Sequence, residues 1–352
     1  MKSARMFYRQ NLKTDIKVNK IFSFIIPVYN GAGVVERALD SIYSQGLQYE
    51  EFEVICVDDC SPTMQTYEAL NNYMYAGRHP ENLLVIRHEL NKRQGGARNT
   101  ALQFATGKWI LYLDQDDKFM PNALYPLAQE AAKYSNCDIL MFDYVLVSNT
   151  KRVPYANTFG TEVMPGTKFM QKYPIPWTPW CYAYKRNFLQ HHDIRFEEFV
   201  RFEDIDYVIK CTLLADNVLF LPIEVYCHID SGVNTSIVGN DRTRIEDLFK
   251  ISIRLKDVAL SFKSVDANAS QTAMSHHLFH YKWLLTDIVW RLSYREIVEL
   301  LTKYHPYELS DDKIIKFTSG NPWLYALISQ IARPFLLALL WVRTKMVRIN
   351  KS

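Results

Sequence analysis

Three carboxylates stand close together directly after an apolar stretch of the chain. Trp109–Leu113 contains only apolar and aromatic residues, and Asp114, Asp116 and Asp117 follow it. Such a stretch predicts a strand buried on both faces of a parallel sheet, and ligands of open α/β sheets bind beyond the carboxyl ends of the strands. Because carboxylates this close repel one another, they favour a cation between them, and oxygen ligands suit Mg²⁺ or Mn²⁺. The alternative is a solvated acidic turn before a helix that starts near Pro121.

A second pair of acids, Asp58 and Asp59, follows the largely apolar segment Phe52–Val57. A carboxylate at the end of a strand can accept hydrogen bonds from a nucleotide base or from a ribose hydroxyl. Its alternative role is to cap the helix that we predict beyond Pro62.

A glycine pair precedes an arginine in the segment Asn91–Asn99. Gly95 and Gly96 would let the backbone approach a ligand, and Arg98 offers a fork of donors for a phosphate or a base. The spacing matches neither a Walker phosphate loop nor a dinucleotide-binding fingerprint. The segment is therefore a ligand-binding loop or an ordinary loop before a helix that runs to Phe104.

Two further acids, Glu203 and Asp204, follow Phe202 and are candidates for a general base. Burial or mutual repulsion raises the pKa of one such carboxyl toward neutrality. The same acids also suit the first turn of a helix, where they interact favourably with the helix dipole. A single histidine, His228, stands further along and on its own favours a structural role.

Apolar strands and helical spacing alternate over the first part of the chain, which predicts right-handed βαβ units and a parallel sheet. The acids after two of these strands therefore face one crevice. Further strands are expected at Asp138–Val147 and Asn217–Ile223, and a proline-rich loop around residues 174–180. Helical spacing takes over beyond a boundary near residue 240. The predicted strands of the first part are Ile21–Ile26, Phe52–Val57, Leu83–Ile86 and Trp109–Leu113.

Composition narrows the functional classes. The chain has 352 residues, 48% of them hydrophobic, and its formal net charge of only +3 argues against a nucleic-acid partner. Residues 1–20 hold six Lys and Arg against one Asp, and residues 331–352 hold five and no acid, which leaves a net charge of −7 between them. Six cysteines without a CxxC pair, and a start without an apolar signal stretch, are typical of a protein in the reducing cytosol.

Taken together and in this order, the motifs resemble those of the family 2 inverting glycosyltransferases of GT-A fold, in particular bacterial enzymes that build capsule or lipopolysaccharide chains. The resemblance implies an α/β GT-A domain at residues 21–240, with a mostly parallel sheet flanked by helices. The charge distribution and the helical spacing predict a basic N-terminal arm at residues 1–20 and a helical C-terminal region at residues 241–352. The segments that carry the resemblance are Ile25–Asn30, Val57–Ser61, Gly95–Asn99, Leu113–Asp117 and Phe202–Asp204.

The resemblance also implies roles for individual residues. Asp114 would lie near the ribose of a nucleotide-sugar donor, and Asp116 would hold Mn²⁺ or Mg²⁺ against the diphosphate, with His228 as a further metal ligand. Asp204 corresponds to the catalytic base and Glu203 to its orienting neighbour. The remaining donor-binding positions are Pro27, Val28, Tyr29, Asp59, Gly96, Arg98 and Gln115. Two tryptophans, Trp177 and Trp180, suit either stacking on a sugar ring of the acceptor or packing in the interior.

The function implied is metal-dependent transfer of a sugar, from a donor expected to be a UDP-sugar, to a hydroxyl of a glycan or lipid-linked acceptor in cell-surface polysaccharide synthesis. Two alternatives stay open: a catalytically silent membrane-associated scaffold and a sugar nucleotidyltransferase. The latter enzymes typically have a glycine-rich basic loop at the position of Pro27–Asn30.

The C-terminal segment near residues 323–349 is apolar but is interrupted by Gln330, Arg333 and Pro334. With the basic residues that follow, it suits an amphipathic helix lying on an anionic membrane. We therefore expect a cytoplasmic protein bound peripherally to the inner face of the cell membrane. The alternative is a core helix or the interface of a homo-oligomer.

Overall fold

The computed structural model describes residues 20–75, 82–148, 151–154, 159–230, 241–304 and 312–332. Contacts divide the chain into two compact units, Met1–Asn234 and Thr235–Ser352. Residues 1–19 of the expected basic arm, and residues 333–349 of the expected membrane-associating segment, lie outside the described residues.

Within the described residues, the first unit is built on one nine-stranded sheet with the strand order β3-β2-β1-β4-β8-β6-β9-β5, and β7 pairs with β6. The strands are β1 (Phe22–Val28), β2 (Phe52–Asp58), β3 (Leu83–Arg87), β4 (Trp109–Tyr112), β5 (Lys118–Phe119), β6 (Ile139–Ser148), β7 (Lys151–Pro154), β8 (Tyr182–Lys185) and β9 (Val218–Asp230).

The first four strands form the parallel half of the sheet, as the sequence predicts. Every residue of β1, β2 and β4 is buried, which explains their almost continuous apolar character. β2 and β4 flank β1 and run parallel to it. β8 runs antiparallel to both β4 and β6, and β9 runs parallel to β6. The carboxyl ends of β1, β2, β4 and β9 therefore lie at the same edge of the sheet.

Seven helices in the described part of this unit connect and cover the strands: α1 (Val35–Tyr43), α2 (Gln65–Tyr75), α3 (Arg93–Phe104), α4 (Leu124–Lys133), α5 (Gly166–Lys172), α6 (Arg186–His191) and α7 (Glu203–Leu214).

Several elements differ from the sequence-based expectations. Helix α3 begins at Arg93, so Gly95 and Gly96 lie inside a helix and not in the expected loop. The segment expected to be a loop around Trp180 contains a 3₁₀ turn at Pro179–Cys181. Strand β8, which the sequence did not predict, follows this turn. Strand β9 continues seven residues past its expected end at Ile223, because the irregular pairing of β6 and β9 accommodates Pro222.

The described part of the second unit is helical, which agrees with the expected helical C-terminal region. Helices α8 and α9 pack against each other, and the buried rings of Phe249 and Tyr281 meet between them. None of the helices in the described ranges is long and apolar enough to cross a membrane. The helices are α8 (Asp241–Phe262), α9 (Ala267–Arg291), α10 (Tyr294–Lys303), α11 (Lys313–Gly320) and a last helix, α12, at residues 322–332.

Candidate active site

The carboxyl ends of β1 and β2 place Asp59 at the edge of the sheet. Its backbone N–H donates to the Val28 carbonyl at 2.8 Å, and its Oδ1 accepts from the Lys92 backbone N–H at 2.9 Å. The preceding acid, Asp58, is fully buried and pairs with Arg87 at 2.7 Å. Asp58 also accepts from the Ser61 backbone N–H at 3.0 Å, so Asp58 closes the turn while Asp59 holds the segment before α3.

A buried arginine lies behind the end of β4 and joins three carboxylates. The side chain of Arg98, on α3, is completely buried. Its Nη2 donates to Asp114 Oδ1 at 2.9 Å, and its Nη1 donates to Glu203 Oε1 at 3.1 Å and to Asp204 Oδ1 at 2.6 Å. The guanidinium also lies 5.1 Å from the ring centroid of Phe196. One cation therefore holds acids from two distant parts of the sequence in one cluster.

The cluster has an excess of negative charge. Burial raises the pKa of Glu203, and the adjacent Asp204 carboxylate acts in the same direction. Burial also raises the pKa of Asp204 and that of Asp114, in both cases against the opposing effect of Arg98. The Asp204 side chain is 27% exposed, whereas that of Glu203 is 5% exposed. Asp204 is thus the member of the pair that a substrate can reach, with a pKa shifted toward that of a general base.

The loop after β1 is fastened to the loop after β4 at the opening of the crevice. The Gln115 side chain accepts from the Tyr29 N–H at 2.9 Å and donates to the Tyr29 carbonyl at 3.0 Å. A Cβ on Gly31 would lie 2.3 Å from Gln115 Oε1, so a larger residue there would displace the Gln115 side chain from its hydrogen bonds with Tyr29. Pro27 and Val28 are buried within β1, whereas the Tyr29 side chain is 46% exposed. Of these residues, Tyr29 presents its side chain to solvent.

A third group of contacts ties the acidic turn after β4 to β9. Asp117 is buried and accepts from Tyr226 Oη at 2.7 Å and from the Ile229 backbone N–H at 2.8 Å. Asp117 Oδ2 also lies 3.0 Å from His228 Nδ1, and this hydrogen bond raises the pKa of the histidine. Asp117 is therefore a buried anchor for β9 and not part of a solvated turn. The side chain of Asp116, in contrast, is exposed.

Trp180 belongs to the same group. Its indole stacks on Tyr226 with ring centroids 4.2 Å apart and on His228 with centroids 5.6 Å apart. Only 5% of Trp180 is exposed, so most of the ring is used in this stack. Trp177, the other candidate for acceptor binding, is partly exposed.

Residues 23–196 match the model of the family described as glycosyl transferase family 2. The chain carries a domain of this family. The resemblance identified from the motifs is thereby confirmed, and the matched range contains the elements β1 to α6, including Asp59, Arg98 and Asp114.

Two curated relatives and one crystal structure show how far the similarity extends. Poly(ribitol-phosphate) beta-glucosyltransferase of Bacillus spizizenii is 40% identical over 103 residues, which is 29% of this chain and 16% of that protein. Poly(ribitol-phosphate) beta-N-acetylglucosaminyltransferase TarS of Staphylococcus aureus is 31% identical over 207 residues, 58% of this chain and 35% of TarS. This chain therefore covers about a third or less of the length of these relatives.

The crystal structure of S. aureus TarS residues 1–349 in complex with UDP-GlcNAc matches this structure with a TM-score of 0.64 and 21% identity, over 88% of each chain. This likeness confirms the GT-A fold that the motifs predict.

Within the glycosyltransferase domain, most of the predicted site residues come to one edge of the sheet. Arg98 lies behind the acids, and Gly96 lies inside α3, where an added Cβ would meet Lys92 Cβ at 2.3 Å. The roles proposed for the donor-binding, metal-binding and catalytic residues stay predictions.

Sequence reasoning missed two buried polar residues of the glycosyltransferase domain. His88 Nδ1 lies 2.7 Å from Asp59 Oδ1, and its Nε2 lies 2.8 Å from Thr100 Oγ1. His88 therefore links the Asp59 carboxylate to α3 and helps to fix its orientation. Its place directly after β3, at the same edge as Asp59, was the available signal. The second residue is Asn99, which follows Arg98 in the motif and to which the sequence assigned no role.

Proposed function

We propose that this chain is a metal-dependent inverting glycosyltransferase that moves a sugar from a UDP-sugar to a hydroxyl of a glycan or lipid-linked acceptor in cell-surface polysaccharide synthesis. The observation that carries the proposal is the Arg98 cluster, which joins Asp114 at the end of β4 to the acid pair at the start of α7. A UDP-sugar donor is supported by the UDP-GlcNAc in the TarS structure. A polyol or glycan acceptor is supported by the names of the two relatives, which specify poly(ribitol phosphate).

Asp204 is the base in this proposal. Arg98 binds its Oδ1, and the partial exposure of the side chain leaves the carboxylate within reach of an acceptor hydroxyl. Asp204 takes the hydroxyl proton while the hydroxyl oxygen forms a bond to the anomeric carbon. The bond from that carbon to the diphosphate oxygen breaks, and its electron pair leaves with the nucleoside diphosphate. Because attack and departure occur on opposite faces, one displacement inverts the anomeric centre.

The donor-side residues follow from the strand ends. Asp114, whose side chain is 21% exposed, offers a carboxylate oxygen to the ribose of a nucleotide. The Asp59 side chain is only 3% exposed and holds Lys92 and His88, so Asp59 shapes the wall of the pocket for the nucleotide base. The exposed Tyr29 side chain lies on the loop that Gln115 fastens, so the opening of the crevice has a defined shape.

Asp116 and His228 fit a divalent cation that is shared with a diphosphate. No group of three or more His, Cys, Asp and Glu side chains within the described ranges is arranged to hold an ion by itself. The Asp116 carboxylate is exposed, and the Nδ1 of His228 is committed to Asp117, which leaves Nε2 for ligation. One or two protein ligands suffice for Mg²⁺ when substrate phosphates complete the shell. When bound, the cation neutralises charge on the departing diphosphate.

The proposal is tested by incubating the purified chain with individual UDP-sugars, with Mn²⁺, Mg²⁺ or a chelator, and measuring UDP release. We expect cation-dependent UDP release with at least one donor, and Asp116→Ala should lose the cation-dependent part of donor affinity. Asp216→Ala is the matched control, because this exposed acid stands before the amino end of β9, at the opposite edge of the sheet. Equal donor affinity of Asp116→Ala and the control in Mn²⁺ would contradict the metal assignment.

Membrane attachment is the second part of the proposal. On α12, Trp323, Leu327 and Ile331 follow one another at intervals of one helical turn and are 53%, 45% and 61% exposed. This exposed apolar face is followed in sequence by Arg333 and four further basic residues without an acid. A face of this kind binds anionic lipid by burying apolar side chains and attracting headgroups.

Flotation of the full chain with vesicles tests the attachment. We expect co-flotation with phosphatidylglycerol-containing vesicles, little with pure phosphatidylcholine, and a loss in the triple variant Trp323→Ser, Leu327→Ser, Ile331→Ser. Val265→Ser is the control, because it removes an apolar side chain that is 82% exposed but lies outside this face, in the loop before α9. A wild-type chain that stays with the soluble fraction and forms oligomers broken by the triple variant would assign the face to self-association instead.

A further inference from the structure

The motif Gly95–Asn99 faces another part of the protein chain. It lies in α3, and its residues contact the segment from Phe196 to Asp204, which leads into the proposed base. Arg98 contacts the end of this segment, at Glu203 and Asp204. Asn99 hydrogen-bonds to the earlier part of the segment, and Gly95 lies close to it.

Asn99 holds the backbone of Phe196 through both of its polar groups. Its Nδ2 donates to the Phe196 carbonyl at 2.9 Å, and its Oδ1 accepts from the Phe196 N–H at 2.9 Å. Both residues are buried, so these hydrogen bonds are shielded from water. The Phe196 ring in turn stacks on Tyr207 of α7 with centroids 3.6 Å apart. The amide of Asn99 thus fixes the start of the segment against the helix that carries the acids.

Gly95 allows α3 and this segment to approach closely. A Cβ at position 95 would lie 2.3 Å from the Glu197 carbonyl oxygen and 3.0 Å from Glu203 Cγ. The first distance is far inside van der Waals contact, and a backbone carbonyl is not a group that can move aside alone. An alanine at this position would therefore push the segment, including Glu203, away from α3.

The segment needs such support because its own backbone is strained. Phe199 and Phe202 both have φ near +64°, in the left-handed region that residues with a Cβ rarely adopt. Phe199 is held in this conformation by a hydrogen bond from its N–H to the Lys92 carbonyl at 3.0 Å, again from the start of α3. Phe202 directly precedes Glu203 and is the N-cap residue of α7.

We propose that Gly95 and Asn99 are positioning residues that seat the segment carrying Glu203 and Asp204, and that they do not contact the nucleotide. The inference deepens the proposed function, since it rests on Asp204 being the base. It divides the crevice into a donor side, formed by Asp59 and Asp114, and a catalytic side, which carries Glu203 and Asp204 and is positioned by α3. Displacing a catalytic group by about 1 Å can cost on the order of 10² in rate even when the substrate still binds.

The test compares Asn99→Ala and Gly95→Ala with Gln103→Ala, an exposed position on the same helix. UDP affinity is measured by calorimetry, turnover by UDP release, and hydrogen exchange by mass spectrometry on peptides covering residues 196–204 and 27–31. We expect Asn99→Ala and Gly95→Ala to keep UDP affinity within about twofold and to lose on the order of 10² in kcat. Their backbone amides should exchange hydrogen faster only in residues 196–204. Gln103→Ala should match the wild type in all three.

A fall in UDP affinity that parallels the fall in turnover, without faster exchange at residues 196–204, would overturn the proposal and return the motif to the nucleotide site. Unchanged turnover and unchanged exchange in both variants would overturn it as well. If Asn99→Ala does not fold, Gly95→Ala decides alone, because it removes no hydrogen bond. The exchange measurement needs no turnover. A wild type without transferase activity would therefore overturn the proposed function, while hydrogen exchange in residues 196–204 would still test whether Gly95 and Asn99 position the segment.

Discussion

Two buried glutamates at opposite edges of the same sheet have opposite electrostatic environments. Glu53 stands near the amino end of β2, and five hydrogen bonds reach its carboxylate. They include Ser23 Oγ at 2.5 Å, Thr106 Oγ1 at 2.8 Å and Lys20 Nζ at 3.0 Å. These hydrogen bonds outweigh the opposing effect of burial, so the pKa of Glu53 is lowered. At the carboxyl edge, Glu203 accepts from Arg98, which it shares with two other carboxylates, and its pKa is raised.

The difference shows what separates a structural buried acid from a candidate functional one. Both side chains are almost inaccessible to water, so burial alone does not distinguish them. The number of hydrogen-bond donors around each carboxylate distinguishes them. A buried carboxylate that is fully hydrogen-bonded is stable as an anion, whereas one with too few donors favours its protonated form. Perturbed carboxyls of the second kind are concentrated at functional sites. We therefore propose that Glu53 serves the stability of the fold and that the Arg98 cluster serves the chemistry.

The largest expected effect belongs to Asp204→Asn. Without a base, we expect the rate of transfer to fall by about 10²–10⁴. The affinity for UDP should stay the same, since Asp204 lies on the catalytic side of the crevice and not on the donor side. Steady-state UDP release and calorimetry with UDP measure the two quantities. If Asp204→Asn kept turnover within a few-fold of the wild type, the Arg98 cluster at the carboxyl edge would not be catalytic, and the proposed difference from the Glu53 edge would fail.

Glu53→Gln should have the converse effect. The amide keeps the shape of the side chain but loses the charge and presents an NH₂ to the donors around it, so we expect a loss of about 1–3 kcal/mol in the free energy of unfolding. Urea denaturation followed by circular dichroism gives this value. Turnover per folded molecule should equal that of the wild type, and a selective loss of turnover would show that the amino edge also takes part in catalysis.

Much of this arrangement could be predicted from the sequence, for a physical reason. The strands β1, β2 and β4 are continuous buried runs. Acids that directly follow parallel strands must come to one edge of the sheet, which predicts that Asp59 and Asp114 lie close together. The partners of Asp117 could not be predicted, because Tyr226 and His228 stand more than a hundred residues later and the intervening strands were not all recognised. The sequence alone does not predict that the glycines of α3 lie inside a helix, because the reason for Gly95, the close approach of the Glu197 carbonyl, is a tertiary contact.

The smallest expected effect is a pH dependence of opposite sign at the two edges. The folded-state pKa of Glu53 is lowered, so its stabilisation is present above the unfolded pKa and is lost as the pH falls through the folded value. The folded-state pKa of Glu203 is raised, so its stabilisation is present below the unfolded pKa and is lost as the pH rises through the folded value.

Glu203→Gln should therefore stabilise the fold at pH 8 relative to the wild type, by on the order of 1 kcal/mol, and the gain should shrink toward pH 5. Glu53→Gln should show its deficit at pH 8, and that deficit should shrink below about pH 4, where the glutamate is itself protonated in the unfolded chain. Denaturation curves at several pH values measure both trends. Parallel trends in the two variants would contradict the comparison.

The most direct measurement of the central claim is the configuration of the sugar that the protein releases. Proton NMR during the hydrolysis of an α-linked UDP-sugar identifies the anomer that forms before mutarotation. A single displacement at the anomeric carbon, assisted by Asp204, predicts that the β-anomer appears first. Initial formation of the α-anomer would contradict the account, because it requires two displacements or attack from the face of the leaving diphosphate.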